Sequence, residues 1–364
     1  MRKNDEHFMG LALERARSVP HASPNPRVGC VIVRDGEVVA EGRHEGPGAP
    51  HAEAAALACG DAEGSTVYVS LEPCVHYGRT PPCARALIDA GPARVVVAMA
   101  DPERRVDGRG IEALRDAGIE VTVGVRSAEA EALNRAYTHQ RRTGRPQLTL
   151  KLALSLDGRL AAPDRSARWI TGPEARRRVH ARRHVADAVM VGAGTVLADD
   201  PSLTVRAVEA ARQPASIVVD ACGRVPATAR LFANDNVLVA TTDRTPHEVQ
   251  TRWKETGAEI VVLPQSGFLV DLRSLLDQLG RRGVLDLLCE GGAALATSLL
   301  AADLVDVLEL HHGPLLLGRG PSLGDVGVGT MTDARRWRLC EVGRAGEDVV
   351  TSYAKGEVPC SPGS

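Results

Sequence analysis

The chain has 364 residues, 44% of them hydrophobic, and a formal net charge of −2; that is a globular composition too long for one ordinary core, so two domains are expected. Residues 1–146 carry 19 basic and 20 acidic side chains and residues 147–364 carry 25 and 26, with only 3% aromatics, so neither half has the basic footprint or the stacking residues that nucleic-acid binding needs, and a small-molecule ligand is favoured. No apolar run reaches membrane-spanning length, the start from Met1 to His7 is too charged for a signal peptide, and eight scattered cysteines fit a reducing cytoplasm better than a disulfide framework.

In the first half, Val28 to Arg34 reads as a strand, Asp35-Gly36 as a hairpin turn and Val38 to Glu41 as the return. Gly48-Ala49-Pro50 breaks the chain before a helix over 52–58. A strand at 66–70, helix at 82–90, strand at 94–98, helix at 108–117, strand at 119–124 and helix at 128–140 follow, with Gly118 as a helix C-cap. A hairpin joined to parallel strands implies a mixed sheet with helices on both faces.

Chemistry concentrates in this half. His51-Ala52-Glu53 falls in the first turn of helix 52–58, and Pro73-Cys74 leaves strand 66–70. Pro82-Cys83 opens the next helix. One imidazole, two thiols and an unattached carboxylate are the parts of a zinc deaminase. Zinc takes nitrogen and sulfur ligands tetrahedrally, and a catalytic site keeps one position for water. His51, Cys74 and Cys83 are the candidate ligands, and Glu53 the candidate proton carrier. A structural zinc, or thiols that are merely buried, is the plainer alternative. The general deaminase signature separates its cysteines by two residues; here eight residues lie between Cys74 and Cys83.

Arg141-Arg142-Thr143-Gly144-Arg145-Pro146 reads as a solvated linker, dividing residues 1–145 from 146–364. Beyond it, strands are expected at 148–154, 187–192, 216–220, 236–240, 259–263, 284–289 and 304–310, with helices at 174–184, 271–280 and 292–300. This half is again α/β, and the tail 357–364 reads as disordered. No phosphate-binding Gly-x-x-x-x-Gly-Lys-Ser/Thr loop is present. Gly192-Ala193-Gly194 lacks the third glycine of a dinucleotide fingerprint, since position 197 is Leu. Cys289-Glu290-Gly291-Gly292 brings glycines to a helix N-terminus, where backbone can approach a phosphate. Thr195 to Arg206 places two acids and an Arg around what reads, by itself, as a capping turn. The arginines of helix 174–184 read mostly as a solvated face.

The long Cys74–Cys83 loop, together with Ser23 to Val33, Asp101-Pro102 and Val106 to Gly110, resembles the deaminase half of the bifunctional riboflavin-biosynthesis deaminase–reductases. Lys151 to Arg159, Trp169-Ile170-Thr171, Gly194 to Arg206 and Glu290 to Gly292 resemble the reductase half of the same family, in the family's order. The resemblance implies a cytidine-deaminase-like α/β/α sandwich followed by a domain similar to dihydrofolate reductase. It implies zinc and NADPH as cofactors and a phosphoribosylamino-pyrimidine as substrate. Zinc-dependent deamination would come first and reduction of the ribosyl group to ribityl second. By position, the family's cofactor contacts fall on Ala153, Trp169, Thr195, Asp199, Ala221 and the stretch Gly292 to Ser298. Its substrate contacts fall on Asn25, Arg183, Leu203, Arg206 and Glu290. Lys151 is a further candidate for polarising the reacting group, and Arg183, with its bidentate geometry, is the expected contact to the substrate phosphate. Two departures are Ala167 and Ala221, where the family often has Ser. They keep alive a single-function deaminase whose second domain only binds a nucleotide. A cytoplasmic homo-oligomer is expected.

Overall fold

The computed structural model describes residues 2–76, 81–164, 169–210 and 212–355. The chain divides into two compact units, residues 1–145 and 146–364. The tail 357–364 and Ala167 lie outside the described residues. No helix among them is long and apolar enough to cross a membrane.

The first unit runs α1 (Arg2–Arg17), β1 (Gly29–Arg34), β2 (Glu37–Arg43), α2 (Ala52–Leu57), β3 (Thr66–Val69), α3 (Cys83–Ala90), β4 (Arg94–Val97), α4 (Arg109–Asp116), β5 (Glu120–Val123), α5 (Ser127–Leu133) and α6 (Arg135–Thr143). Its sheet has the order β2-β1-β3-β4-β5. β1 pairs antiparallel with β2 and β3, whereas β3, β4 and β5 are parallel. The turn residues Asp35 and Gly36 both have positive φ, 53° and 81°, as a two-residue hairpin requires. Gly42 lets α2 press on β2: a Cβ there would stand 2.1 Å from the Ala52 carbonyl. That contact fixes the helix whose N-terminus carries His51 and Glu53.

Two elements differ from expectation. Residues 2–17 form a helix where the sequence reading has none. Phe8, Met9, Ala12, Leu13 and Ala16 recur at helical spacing and are buried, so the helix is held by packing behind a charged outer face. The expected helix 128–140 breaks at Asn134. Arg27 N donates to Asn134 Oδ1 at 2.8 Å, and Asn134 Nδ2 donates to Arg27 O at 2.9 Å. This side-chain amide mimics a strand partner and draws the backbone out of the helix.

The second unit runs β6 (Gln147–Leu154), α7 (Pro173–Val185), β7 (Ala188–Gly192), α8 (Ala193–Asp199), β8 (Ala215–Val219), a 3-10 turn (Arg230–Ala233), β9 (Val237–Thr241), α9 (His247–Glu255), β10 (Glu259–Val262), a small hairpin β11 (Gln265–Ser266) and β12 (Leu269–Val270), α10 (Leu272–Arg281), β13 (Asp286–Cys289), α11 (Ala293–Ala301), β14 (Val307–His312), β15 (Trp337–Ala345) and β16 (Asp348–Lys355). Its main sheet has the order β10-β9-β8-β7-β13-β6-β14-β16-β15. The strands from β10 to β14 are parallel, and β16 and β15 add antiparallel at the far edge. The helices α8 and α9 and the hairpin β15–β16 go beyond the sequence reading. β15 is an edge strand with six of its nine residues exposed and of mixed character, so it lacks the apolar alternation by which strands are found. Even-numbered residues of β6 enter the main apolar cluster with α10 and α11. The odd face carries Thr149, Lys151 and Ala153 instead, and this polar row borders the second site.

Candidate metal centre and second cleft

In the first unit, His51 is the N-cap residue of α2, Cys74 lies in the loop after β3, and Cys83 begins α3. Their donor atoms all lie within 4.8 Å of one another. His51 Nδ1 is 3.1 Å from Cys83 Sγ and 3.5 Å from Cys74 Sγ. Zinc bonds of about 2.0–2.3 Å space tetrahedral ligands roughly 3.3–3.8 Å apart, so the donor set and its spacing fit that ion. The Cys74 thiol is drawn down to about 4, first by its hydrogen bond with Cys83 and then by the one with His51, which favours the thiolate a metal takes. Glu53 is 3% exposed, and burial pushes its carboxyl up to about 7. It is not part of the ligand group.

A cleft of about 230 Å³ opens onto this group and is lined by Asn25, His44, His51, Glu53 and Cys74 among others. His44 Nδ1 lies 2.9 Å from the Pro50 carbonyl. A carbonyl only accepts, so Nδ1 carries the hydrogen and Nε2 accepts from Asn25 Nδ2 at 2.8 Å. That orientation leaves Asn25 Oδ1 as an acceptor for a ligand. The sequence reading missed His44. It also missed Glu72, a buried carboxylate that accepts from the backbone N–H groups of Asp101, Gly108, Gly110 and Ile111. Glu72 thereby ties the cleft wall at 101–111 to the turn that presents Cys74. Its signal was an acid wedged between Leu71 and Pro73-Cys74, where solvent exposure would be unusual.

In the second unit, a cleft of about 580 Å³ is bordered by β6, α7, α8 and the turn after β13. Lys151, Ala153, Trp169, Arg183, Thr195, Asp199, Leu203, Arg206, Glu290 and Gly292 all line it. Ala221 and Ser298 do not. Ala221 is buried in the apolar cluster beyond β8, and the Ser298 hydroxyl donates along α11 to the Ala294 carbonyl at 3.0 Å. Gly292 N donates to Thr195 Oγ1 at 2.9 Å, fixing the glycine turn against α8. The Arg176 guanidinium stacks 4.6 Å from the Trp169 ring centroid at the rim.

Two arginines of α7, Arg182 and Arg183, depart from the solvated face, while Arg177 stays exposed. Arg183 forms a fork on Glu290, at 2.6 and 3.0 Å, and also donates to the Thr204 carbonyl. The fork expected to reach a phosphate is therefore engaged by a carboxylate. Arg182 forms a similar fork on Asp286, at 2.8 and 2.7 Å. Both turn inward because α7 lies over the polar row of the sheet, where buried acids need cationic partners. Burial draws the Lys151 ammonium below the usual lysine range, opposed by the charges of Glu290 and Glu309.

Residues 2–99 match the cytidine and deoxycytidylate deaminase zinc-binding region, and residues 146–351 match the RibD C-terminal domain. The chain is 40% identical over 358 residues to the riboflavin biosynthesis protein RibD of Aquifex aeolicus, covering 98% of this chain and 99% of that one. It is 43% identical to RibD of Escherichia coli, covering 95% and 98%. The solved structure of Acinetobacter baumannii RibD superposes with a TM-score of 0.88 at 36% identity, covering 98% of this chain and 100% of that one. The diaminohydroxyphosphoribosylaminopyrimidine deaminase/5-amino-6-(5-phosphoribosylamino)uracil reductase of Thermotoga maritima superposes with a TM-score of 0.85 at 31% identity, covering 98% and 99%. Identity at this level along nearly the whole of both chains, with the two halves in the same order, makes this chain a member of the RibD family, the bifunctional deaminase–reductases of riboflavin biosynthesis.

Proposed function

We propose that residues 1–145 deaminate 2,5-diamino-6-hydroxy-4-(5-phosphoribosylamino)pyrimidine and that residues 146–364 reduce the ribosyl group of the deaminated product to ribityl. The observation that carries the first step is the convergence of His51, Cys74 and Cys83 beside the buried carboxyl of Glu53. These three residues would hold zinc, which when bound supplies a Lewis acid able to ionise water at neutral pH. Glu53 takes the proton of the attacking water and delivers it to the departing amine. Asn25, oriented by His44, accepts a hydrogen bond from the pyrimidine and sets its angle to Glu53.

For the second step, NADPH supplies the reducing equivalent. The turn Glu290 to Gly292 and Thr195 support a cradle for its phosphates at the uncapped N-terminus of α11, and Trp169 covers the rim with Asp199 and Ala153 nearby. Arg206 carries the charge for the substrate phosphate, with Leu203 packing beside it, since Arg183 is held by Glu290. Lys151 donates to the sugar oxygen as the ring opens. The case for a second domain that only binds nucleotide weakens here, because Ala221 does not border the cleft.

The seven described cysteines are free thiols, which supports a cytoplasmic location. The edge strand β15 exposes Leu339 and Val342, which supports association of like chains; sedimentation measures it. The two-step assignment is tested with His51→Ala. Ammonia release should stop, while NADPH oxidation continues when the deaminated intermediate is supplied. Loss of both activities in a folded variant would refute two separate sites.

A further inference from the structure

Strand β14 reads Val-Leu-Glu-Leu-His-His. Leu308 and Leu310 pack against the main apolar cluster, so Glu309 and His311 stand on the opposite face. That alternation is what a half-solvated strand shows. Yet Glu309 is 9% exposed and His311 0%. Helix α7 covers this face, and its Ala175 clusters with Val350, the β16 neighbour of His311. His311 Nε2 lies 2.6 Å from Glu309 Oε1, and His311 Nδ1 is buried without a hydrogen-bond partner among the described residues. A buried carboxylate–imidazole pair of this kind costs desolvation energy and contributes nothing to apolar packing.

The strand register says what it faces. Glu309 pairs with Lys151, and His311 with Ala153. On the other side of β6, Leu150 pairs with Cys289, so Glu290 comes next to Lys151. A row of Glu290, Lys151 and Glu309 thus runs from the end of β13 across β6 to β14. From above, α7 contributes Arg182 and Arg183. Arg183 is forked on Glu290 and Arg182 on Asp286. Both Glu290 and Glu309 attract the Lys151 ammonium, but Glu290 is already forked by Arg183, so Glu309 is the carboxylate of the row that carries no guanidinium fork. Burial pushes the Glu309 carboxyl up, but the hydrogen bond from His311 and the charges of His311, Arg182 and Lys151 hold it below the usual carboxylate range.

We propose that Glu309, oriented by His311, is the counter-charge that keeps Lys151 an ammonium ion at the wall of the reductase cleft. Glu309 is a positioning residue that acts through Lys151. Its kinetic consequence rests on the proposed role of Lys151 in reduction, but the charge itself can be read without turnover. The full chain is acylated with an amine-directed anhydride across a pH series, and Lys151 is followed by peptide mass spectrometry. Only the neutral amine reacts, and the exposed Lys254 is an internal reference. E309Q should lower the Lys151 midpoint by about one pH unit or more, leaving Lys254 unmoved. E309D, which keeps the charge, should stay near wild type. H311L strips the donor that holds Glu309 ionised, should shift the midpoint the same way, and supplies the test if E309Q does not fold. An unmoved midpoint in the folded variant, or an equal shift in E309D, overturns the proposal. The alkaline limb of reductase kcat/KM should follow the labelling midpoint. A moved midpoint with an unmoved limb would uphold the counter-charge and refute the catalytic role of Lys151.

Discussion

Glu53→Gln keeps a hydrogen-bonding group of the same size in the first turn of α2 but cannot relay a proton. Bound zinc should be retained and the deamination rate should fall about a hundred- to ten-thousand-fold. Elemental analysis with an ammonia assay checks both; more than about a tenth of the wild-type rate would contradict the assigned role. Arg183 and Arg206 border the same cleft and should behave differently. Arg183 is 9% exposed and forked on Glu290, so Arg183→Ala strands a buried carboxylate and should cost about 3–5 kcal/mol of stability. Arg206 is exposed. Arg206→Ala should leave the melting temperature and NADPH affinity close to wild type, while substrate binding weakens by about 1.5–3 kcal/mol. Melting curves and kcat/KM on the two variants decide this: an unchanged kcat/KM in Arg206→Ala would rule out a phosphate contact there. The type of each residue was legible in the sequence, but its partner was not. Glu290 and Arg206 are equally good matches on paper, and only the lie of α7 gives Glu290 to Arg183.

Helix α1 is held to its sheet by one buried ionic cluster as well as by its apolar stripe. Arg94 of β4 donates to both Asp5 oxygens, at 2.9 and 3.0 Å, and the Tyr68 hydroxyl of β3 donates to Asp5 Oδ1 at 2.8 Å. The hydrogen bonds from Arg94, foremost, and from Tyr68 hold the Asp5 carboxyl below the usual carboxylate range. A depressed folded-state pKa stabilises the protein above the unfolded value and is lost as pH falls through the folded one. Asp5→Asn should therefore cost about 1.5–3 kcal/mol near neutral pH, and the gap to wild type should narrow below about pH 4. Thermal unfolding across that range measures it, and a gap independent of pH would exclude the ionic origin. The same element shows where a sequence reading falls short. The apolar spacing of Phe8, Met9, Ala12 and Leu13 is visible, but six charged or polar residues near the start mask it. Asn134, by contrast, stops a helix through an amide pair with Arg27, more than a hundred residues away, which no local pattern contains.

At the scale of the molecule, the metal group and the second cleft lie in different compact units. Purified protein should hold about one zinc per chain, and a strong chelator should stop ammonia release while NADPH oxidation on the supplied intermediate continues. Loss of NADPH oxidation on chelation, with the fold intact, would mean that zinc also serves the reductase. The sequence by itself determined the donor set of the metal group and the order of the two α/β halves. Those depend on chemical type and short spacing: His51 two residues before Glu53, cysteines at strand and helix ends, glycines at a helix start. Tertiary structure alone decided which charges meet. β14 alternates like a solvated strand, yet α7 buries Glu309 and His311 beside Lys151, and Glu72 gathers four amides from the distant loop before α4 and that helix's first turn. Burial and pairing are properties of the assembled layers. A buried charge is set by whatever cation, anion or amide the fold brings within a few ångströms, and residues far apart in the chain supply it.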